Sequence, residues 1–246
     1  MRGTLVVCAD IDSLYREAVR RITTALARAG ERQKVVSLAL AGGKTPRALY
    51  QWLAREEFRA GIPWDKLHLF WGDERLVPLD HRESNYRMAR EALLNHVPVP
   101  PENIHPVPVH LALEEAAQTY EQEIRTVLGN RRGIPCFDVI LLGLGADGHI
   151  ASLFPRAETL RERKRLVVVA RSPVGMPRVT LTVPVLNQAR HVFYLVTGAE
   201  KSQALQQAVE GAGELPAQLI NPAKGELVWL LDCPAAARLE RVRVET

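Results

Sequence analysis

The chain has 246 residues, 47% of them hydrophobic and 24% charged, a composition typical of a globular protein and unlike that of a disordered or low-complexity chain. The formal net charge of +4 comes from basic residues that are spread mainly over predicted helices, so we expect no nucleic-acid partner. The cysteines lie far apart in the sequence, and the N-terminal apolar run is too short for a secretory signal. No stretch approaches the roughly 20 apolar residues of a membrane span. Together these features predict a cytoplasmic protein without a membrane partner.

Helices and strands alternate along the predicted order of elements. The apolar patterns predict, in chain order, helix 12–29, strand 35–40, helix 47–58, strand 67–71, helices 84–94 and 113–128, strands 137–142, 166–170, 179–183 and 192–197, helix 199–209 and strand 227–231. Continuous apolar strands separated by helices are typical of an α/β fold with a mostly parallel sheet. The proline-rich segment 98–108 is predicted to be an extended connector, so we expect one α/β domain over residues 1–246.

Three polar loops that contain glycine follow predicted strands, at residues 42–45, 72–75 and 143–149. In parallel α/β sheets, ligands bind beyond the carboxyl ends of the strands. We therefore expect these loops to carry much of the functional site.

The third loop matches the pattern G-x-G-x-x-G through Gly143, Gly145 and Gly148, which on its own is a weak signal for dinucleotide binding. That motif normally opens a long helix, and Pro155 follows too soon for one here. A dinucleotide site also needs an acidic residue at the end of the next strand, where this sequence has Arg171. An arginine there suits a 2′-phosphate, so a dinucleotide-dependent oxidoreductase stays as a disfavoured alternative.

The same loop carries His149, the best candidate for a general base because histidine titrates near neutral pH. Asp147 lies close enough along the chain to orient the imidazole ring. The plainer alternative is a loop histidine that caps the following segment, and the surrounding glycines and the preceding buried strand argue against it.

The first loop has the pattern of an anion-binding turn, in which small residues precede a helix N-terminus. Its residues are Gly42, Gly43, Lys44 and Thr45. Thr45 is predicted to be the N-cap of the next helix and Pro46 its first residue. A simple tight turn with a good cap is the alternative.

Two further cations are candidates for binding a phosphate. Lys201 falls in the first turn of a predicted helix, where a bound anion offsets the unfavourable position of a positive charge. Arg178, at the start of a predicted strand, is suited to bidentate contacts with phosphate. Lys44, Lys201 and Arg178 are expected to converge on one phosphate, whereas solvated surface charges are the alternative.

The second loop contains Asp73, Glu74 and Arg75. One carboxylate is a candidate acid or base, and the arginine is a candidate for stabilising developing negative charge. A surface ion pair in a turn is the alternative. Because metal-binding motifs and the G-x-S-x-G nucleophile motif are absent from the sequence, we expect no metal and favour water over a serine as the nucleophile.

Five segments of the chain carry motifs that occur together in one known family. They are A-G-G-K-T-P at 41–46, W-G-D-E-R at 71–75 followed by S-N-Y at 84–86, G-L-G-A-D-G-H-I-A-S-L-F-P at 143–155, R-V-T-L-T at 178–182 and T-G-A-E-K at 197–201. Through them the chain resembles the bacterial-type 6-phosphogluconolactonases, in the wider group that includes the glucosamine-6-phosphate deaminases. The resemblance covers nearly the whole chain.

The resemblance implies hydrolysis of 6-phosphoglucono-δ-lactone to 6-phosphogluconate, the second step of the oxidative pentose phosphate pathway. It implies a three-layer α/β sandwich with a Rossmann-like sheet and no cofactor. The expected partner is a small phosphosugar lactone, and the chain is expected to be a monomer or a weak homo-oligomer.

The resemblance also implies roles for particular residues. The implied catalytic residues are His149, Asp147, Asp73 and Arg75, and the implied phosphate-binding residues are the 43–45 loop, Arg178 and Lys201. For Arg75, contacts with the phosphate, the lactone oxygen or a carboxylate all stay open.

The deaminases are the nearest rival, since their histidine motif continues as G-H-I-A-F-N-E-P with a glutamate tied to opening of the sugar ring. Here residues 151–155 supply no carboxylate, and lactone hydrolysis does not need one there. A deaminase-like aldose–ketose isomerase therefore stays as an alternative. So does a non-catalytic phosphosugar-binding module, which would keep Arg178 and Lys201 without needing His149 or Asp73.

Overall fold

A computed structural model describes residues 3–129, 133–211, 213 and 215–240 of the chain. Helices and strands alternate in it as the sequence predicts. Over these residues the strands are β1 (Thr4–Cys8), β2 (Val36–Leu40), β3 (Leu67–Trp71), β4 (Asp73–Arg75), β5 (Val139–Leu142), β6 (Val167–Arg171), β7 (Pro177–Leu181), β8 (His191–Val196) and β9 (Glu226–Asp232). The α-helices are α1 (Ile11–Arg32), α2 (Lys44–Leu53), α3 (Glu56–Arg59), α4 (Asn85–Ala92), α5 (Leu113–Leu128), α6 (Val183–Gln188), α7 (Ser202–Glu210) and α8 (Cys233–Ala236). Every predicted helix and strand overlaps an observed one.

Six parallel strands form the central sheet, in the order β1-β9-β8-β5-β2-β3. β2 and β5 are buried along their whole length, which explains why they read as continuous apolar runs without alternation. Helices flank the sheet, with α1 against β1, β2, β5 and β9. The prediction of an α/β fold with a mostly parallel sheet is confirmed.

The strand order reverses between β2 and β5. From β2 the chain moves to β3 on one side, and from β5 it moves to β8 on the other. Such a reversal opens a crevice at the carboxyl ends of the two central strands. The loops that follow β2 and β5 therefore meet at one place.

A second, antiparallel sheet of three strands has the order β4-β7-β6. In its register Asp73 lies opposite Thr180, and Arg75 lies opposite Arg178. The loop predicted at 72–75 is therefore wrong in its last three residues, which form β4. Three polar residues give no apolar pattern from which a strand is predicted, and only pairing with β7 makes them one.

The start of α2 also differs from the prediction. Gly43 is the residue before the helix, with a φ of 106° that suits glycine, and the helix begins at Lys44. Thr45 is not the N-cap, and its Oγ1 instead forms a hydrogen bond with Thr197 Oγ1 at 2.6 Å. The predicted helix 47–58 is divided, since α2 ends at Leu53 and α3 follows.

The first strand and α6 were not predicted. β1 pairs with β9 at the edge of the central sheet. It has five residues, and its apolar run is too short to be recognised as a strand among the polar residues around it. Buried apolar residues from both ends of the described chain join one core cluster. One domain over residues 1–246 stays a prediction, since residues 241–246 lie outside the described residues. Across the described ranges, none of the helices is both long and apolar enough to cross a membrane.

Candidate active site

The crevice between β2 and β5 holds a cavity of about 210 Å³. The predicted residues that line it are Gly42, Gly43, Asp73, Arg75, His149, Arg178 and Lys201. They come from the loops after β2 and β5, from β4 and β7, and from the 3₁₀ turn that precedes α7. The structure therefore brings together seven predicted residues that are far apart in the sequence.

Lys44 and Thr45 line an adjoining cavity of about 560 Å³ instead of the one that holds His149. The two cavities share the glycines of the first loop and Lys201. Lys44 and Arg178 thus line two neighbouring cavities, although they were predicted to converge on one phosphate. Lys201 is the cation that lines both cavities.

His149 is held by a hydrogen bond between its Nδ1 and Asp147 Oδ1, at 2.5 Å. The backbone N–H of His149 donates to the same oxygen at 3.2 Å. A carboxylate only accepts, so the proton of this bond belongs to Nδ1 and the lone pair of the neutral ring lies on Nε2. Because 34% of the histidine side chain is exposed, water reaches this ring.

Asp147 stays ionised near neutral pH. Partial burial works against its charge, but hydrogen bonds from the ring and the backbone of His149 outweigh that effect and hold the pKa of Asp147 below its usual value. Asp147 does not line the cavity. Its hydrogen bonds to His149 are those that the predicted orienting role requires, and that role stays a prediction.

One glycine of the third loop, Gly145, makes room for this pair. A Cβ at Gly145 would overlap His149 Nδ1 and Asp147 Oδ1, and Gly148 has a φ of 83°. No helix follows the loop over residues 150–157; instead a short bridge joins Ile150 to Leu153. Close approach of the histidine thus explains Gly145, and a positive φ explains Gly148, while the missing helix argues against a dinucleotide site.

Asp73 lies at the start of β4 and is buried. Its Oδ2 accepts a hydrogen bond of 2.6 Å from Ser152 Oγ and lies 3.7 Å from Arg178 Nη1. The side chain of Asn85 donates to its backbone oxygen at 2.9 Å. The carboxylate therefore faces a cation and a hydroxyl rather than the imidazole.

Arg75 and Arg178 lie side by side across β4 and β7, and both line the cavity. Burial, and secondarily the nearby charge of Arg75, lower the pKa of Arg178. Arg75 Nη1 donates to the backbone oxygen of Glu83 at 2.5 Å, and no ion pair of Arg75 occurs among the described residues. Within the same residues, the buried Nε of each arginine has no hydrogen-bond partner. Two adjacent guanidinium groups with unused donors form a site for an anion.

Glu74 is buried and has a structural role that the sequence did not suggest. From the sequence, a carboxylate at 73–74 was a candidate acid or base, or part of a surface ion pair. Its carboxylate accepts hydrogen bonds from the backbone N–H groups of Arg75, Asn85 and Tyr86 and from Ser84 Oγ. Burial raises the pKa of Glu74, against the opposing effect of these bonds. Glu74 thus fixes β4 to the N-terminus of α4. The S-N-Y motif at 84–86, which supplies three of these donors, was the sequence signal from which this contact could have been found.

We expect Glu74→Gln to lower the free energy of unfolding by about 2 kcal/mol, because the new amide group faces N–H donors that cannot accept its protons. Urea denaturation measures the change. Glu83→Gln is the control, since the Glu83 side chain is 45% exposed and forms a surface ion pair with Arg82. An equal, small effect of both changes would contradict the structural role of Glu74.

A larger, open groove of about 1140 Å³ lies beside α2 and α3 and is lined by Arg55, Trp64 and His96 among others. None of the predicted site residues lines it. The smaller cavity therefore holds the candidate site, because it brings His149 together with Arg75, Arg178 and Lys201.

The site combines an imidazole that is hydrogen-bonded to a carboxylate, a second, buried carboxylate and a pair of guanidinium groups. Such a set can remove a proton from water beside a bound anion. In the described ranges, no three His, Cys, Asp or Glu side chains group closely enough to hold a metal ion.

Comparisons with known proteins give related sequences and structures. The family described as glucosamine-6-phosphate isomerases/6-phosphogluconolactonase matches residues 9–229. A 6-phosphogluconolactonase from Synechocystis sp. is 47% identical over 224 residues, which are 89% of each chain. One from Nostoc sp. is 42% identical over 247 residues, covering 97% of this chain and 99% of the relative. The solved structure of 6-phosphogluconolactonase from Trypanosoma cruzi has a TM-score of 0.85 and 34% identity over 98% of both chains.

Proposed function

The chain belongs to the family of glucosamine-6-phosphate isomerases and 6-phosphogluconolactonases, and from this premise we propose that it hydrolyses 6-phospho-D-glucono-1,5-lactone to 6-phospho-D-gluconate. Relatives that match along nearly the whole chain bear the name of this activity. The enzyme is a carboxylic ester hydrolase of carbohydrate metabolism, in the pentose phosphate pathway.

One observation carries the proposal at the level of the site: His149, which is hydrogen-bonded to Asp147, and the Arg75–Arg178 pair border a single cavity. The substrate has a lactone carbonyl at one end and a phosphate at the other. A base at one side and cations at the other match both ends.

Phosphate binding is proposed for Arg178, Lys201 and the backbone of the glycine loop before α2. Arg178 has an unused buried Nε, and Lys201 borders both cavities. The N-terminus of α2 adds a favourable dipole and free N–H groups at Gly43 and the following residues, including Lys44 and Thr45 on the adjoining side. This anchorage sets the lactone carbonyl near His149.

The proposed mechanism begins with removal of a proton from water by His149 Nε2. The water oxygen forms a bond to C1, and the negative charge on the carbonyl oxygen is stabilised by N–H groups of the glycine-rich loops or by Arg75. When the carbonyl re-forms, the bond between C1 and the ring oxygen breaks, and the ring oxygen takes a proton from the imidazolium or from water. Asp147 stabilises the imidazolium between these steps.

Asp73 is proposed to act on charge and position rather than on proton transfer. Its carboxylate is buried and is engaged by Ser152 and Arg178. It therefore orients the arginine that receives the phosphate.

The structure of the histidine loop disfavours the amino-sugar isomerisation of the deaminases. Phe154 occupies the place of the glutamate in their motif, and its ring packs against the imidazole of His149 with centroids 4.9 Å apart. An aromatic ring supplies no acid or base for opening a sugar ring.

The purified chain, offered the freshly made lactone and glucosamine 6-phosphate in separate assays, tests this proposal. We expect 6-phosphogluconate to form faster than in the spontaneous reaction, and we expect no ammonia from glucosamine 6-phosphate. Ammonia release would favour the deaminase alternative. A lack of turnover of both compounds would contradict an enzymatic role and favour a binding module.

The cellular context is proposed from the same assignment. The partner is a small phosphosugar lactone, without nucleic acid, and the chain acts in the cytoplasm as a monomer or weak homo-oligomer. No cofactor takes part in the proposed reaction, since water and the side chains named above account for each proton and bond.

A further inference from the structure

A buried hydrogen bond joins the histidine loop to the second sheet. Ser152 has no exposed surface, and its Oγ donates to Asp73 Oδ2 at 2.6 Å. Its backbone N–H donates to Thr180 Oγ1 at 3.2 Å, and Thr180 lies opposite Asp73 in the pairing of β4 with β7. Ser152 is three residues beyond His149, so one short segment contacts both the base and the second sheet.

The same oxygen of Asp73 also faces Arg178 Nη1, at 3.7 Å. This distance is an ion pair but exceeds that of a hydrogen bond. In the part of the chain that the structure describes, Nε of Arg178 has no hydrogen-bond partner. The pair is therefore incomplete, and donors of Arg178 are left for an anion in the cavity.

We infer that Ser152 is a positioning residue that prevents Asp73 from closing onto Arg178 and thereby maintains the preference for a phosphorylated lactone. This inference rests on the proposed function. A buried carboxylate beside a guanidinium with unused donors gains by forming a bidentate pair. The Ser152 hydroxyl engages Oδ2, the carboxylate oxygen that faces Arg178, and holds it 3.7 Å from Nη1, so that Arg178 keeps donors for the phosphate.

The Ser152→Ala enzyme is expected to lose this discrimination. Asp73 becomes free to close onto Arg178 and to compete with the phosphate. We expect KM for the phosphorylated lactone to rise about tenfold, with a smaller change in kcat. Hydrolysis of unphosphorylated glucono-1,5-lactone is expected to keep its kcat/KM, because that substrate has no group for Arg178. The ratio of the two kcat/KM values then falls about tenfold.

Ser37→Ala is a matched control. Ser37 is also buried and also donates from Oγ to a buried aspartate, Asp138, at 3.0 Å. Asp138 likewise pairs with an arginine, Arg190, at 3.2 Å. This group lies at the amino ends of β2 and β5, away from the cavity. The Ser37→Ala enzyme is expected to keep the wild-type substrate ratio even where its stability falls.

Calorimetric binding of 6-phosphogluconate and of gluconate gives a measurement that does not depend on turnover. We expect Ser152→Ala to weaken 6-phosphogluconate binding about tenfold and Ser37→Ala to leave it unchanged. A wild-type ratio and wild-type affinity in Ser152→Ala would overturn the inference while the lactonase assignment stands. If the wild type binds 6-phosphogluconate but hydrolyses no lactone, the assignment fails, and selective weakening in Ser152→Ala still supports the positioning role. Absence of both binding and turnover in the wild type would overturn both.

Discussion

His149→Ala is expected to lower kcat for the phosphorylated lactone by roughly 10²–10⁴-fold, with a smaller change in KM. In the proposed mechanism the imidazole is the base and Asp147 fixes its tautomer through the Nδ1 bond, so the alanine would remove proton transfer from the reaction. The proposed phosphate-binding residues Arg178 and Lys201 are unchanged, so we expect substrate binding to persist. Steady-state rates, corrected for spontaneous opening of the lactone, measure the effect.

His191→Ala is the matched control for this change. His191 Nδ1 also pairs with a carboxylate, Glu226, at 3.0 Å, and its side chain is 32% exposed against 34% for His149. It starts β8 at the amino end of the sheet, opposite the cavity. We expect wild-type kinetics for His191→Ala. Equal corrected rates for His149→Ala and the wild type would show that the base lies elsewhere.

Gly145→Ala is expected to lower kcat about 10²-fold although it adds only a methyl group at a residue that donates no side chain to the reaction. The new Cβ would overlap His149 Nδ1 and Asp147 Oδ1, so the pair has to move or separate. Displacement of a catalytic group by about 1 Å has effects of this size. The same kinetic assay measures it, with circular dichroism to verify folding.

Gly61→Ala controls for the substitution itself, since a Cβ at Gly61 makes only an ordinary contact, 3.7 Å from the backbone oxygen of Phe58. It is expected to leave kcat unchanged. Full activity in Gly145→Ala would contradict the close packing of the histidine loop on which the proposed tautomer depends.

Much of the fold follows from the sequence because the central strands are buried on both faces. β3 and α5 have the predicted bounds, and the other predicted elements overlap the observed ones. Parallel strands place their carboxyl-end loops together, so the convergence of His149, Asp73 and the first glycine loop was predictable. Family motifs supplied the proposed assignments of Arg178 and Lys201.

What the sequence did not predict depends on contacts between distant segments. β4 is a strand only because it pairs with β7. The buried Glu74 carboxylate connects β4 to α4 only because the N-terminus of α4 lies beside it and donates hydrogen bonds to it. Thr45 has the local sequence features of an N-cap, but the N-cap of α2 is Gly43. The Thr45 hydroxyl instead forms a hydrogen bond with the hydroxyl of Thr197. Ser152 stands in the 143–155 motif, but the sequence indicated no role for it, because its partner Asp73 is 79 residues away in the chain.

The time course of freshly made 6-phosphogluconolactone, followed by ³¹P NMR with and without the wild-type chain, tests the central claim most directly. We predict that the chain accelerates conversion of the lactone to 6-phosphogluconate well above the spontaneous rate, in proportion to enzyme concentration. A time course that matches the spontaneous reaction at every enzyme concentration would contradict the assignment of this cavity as a lactonase active site.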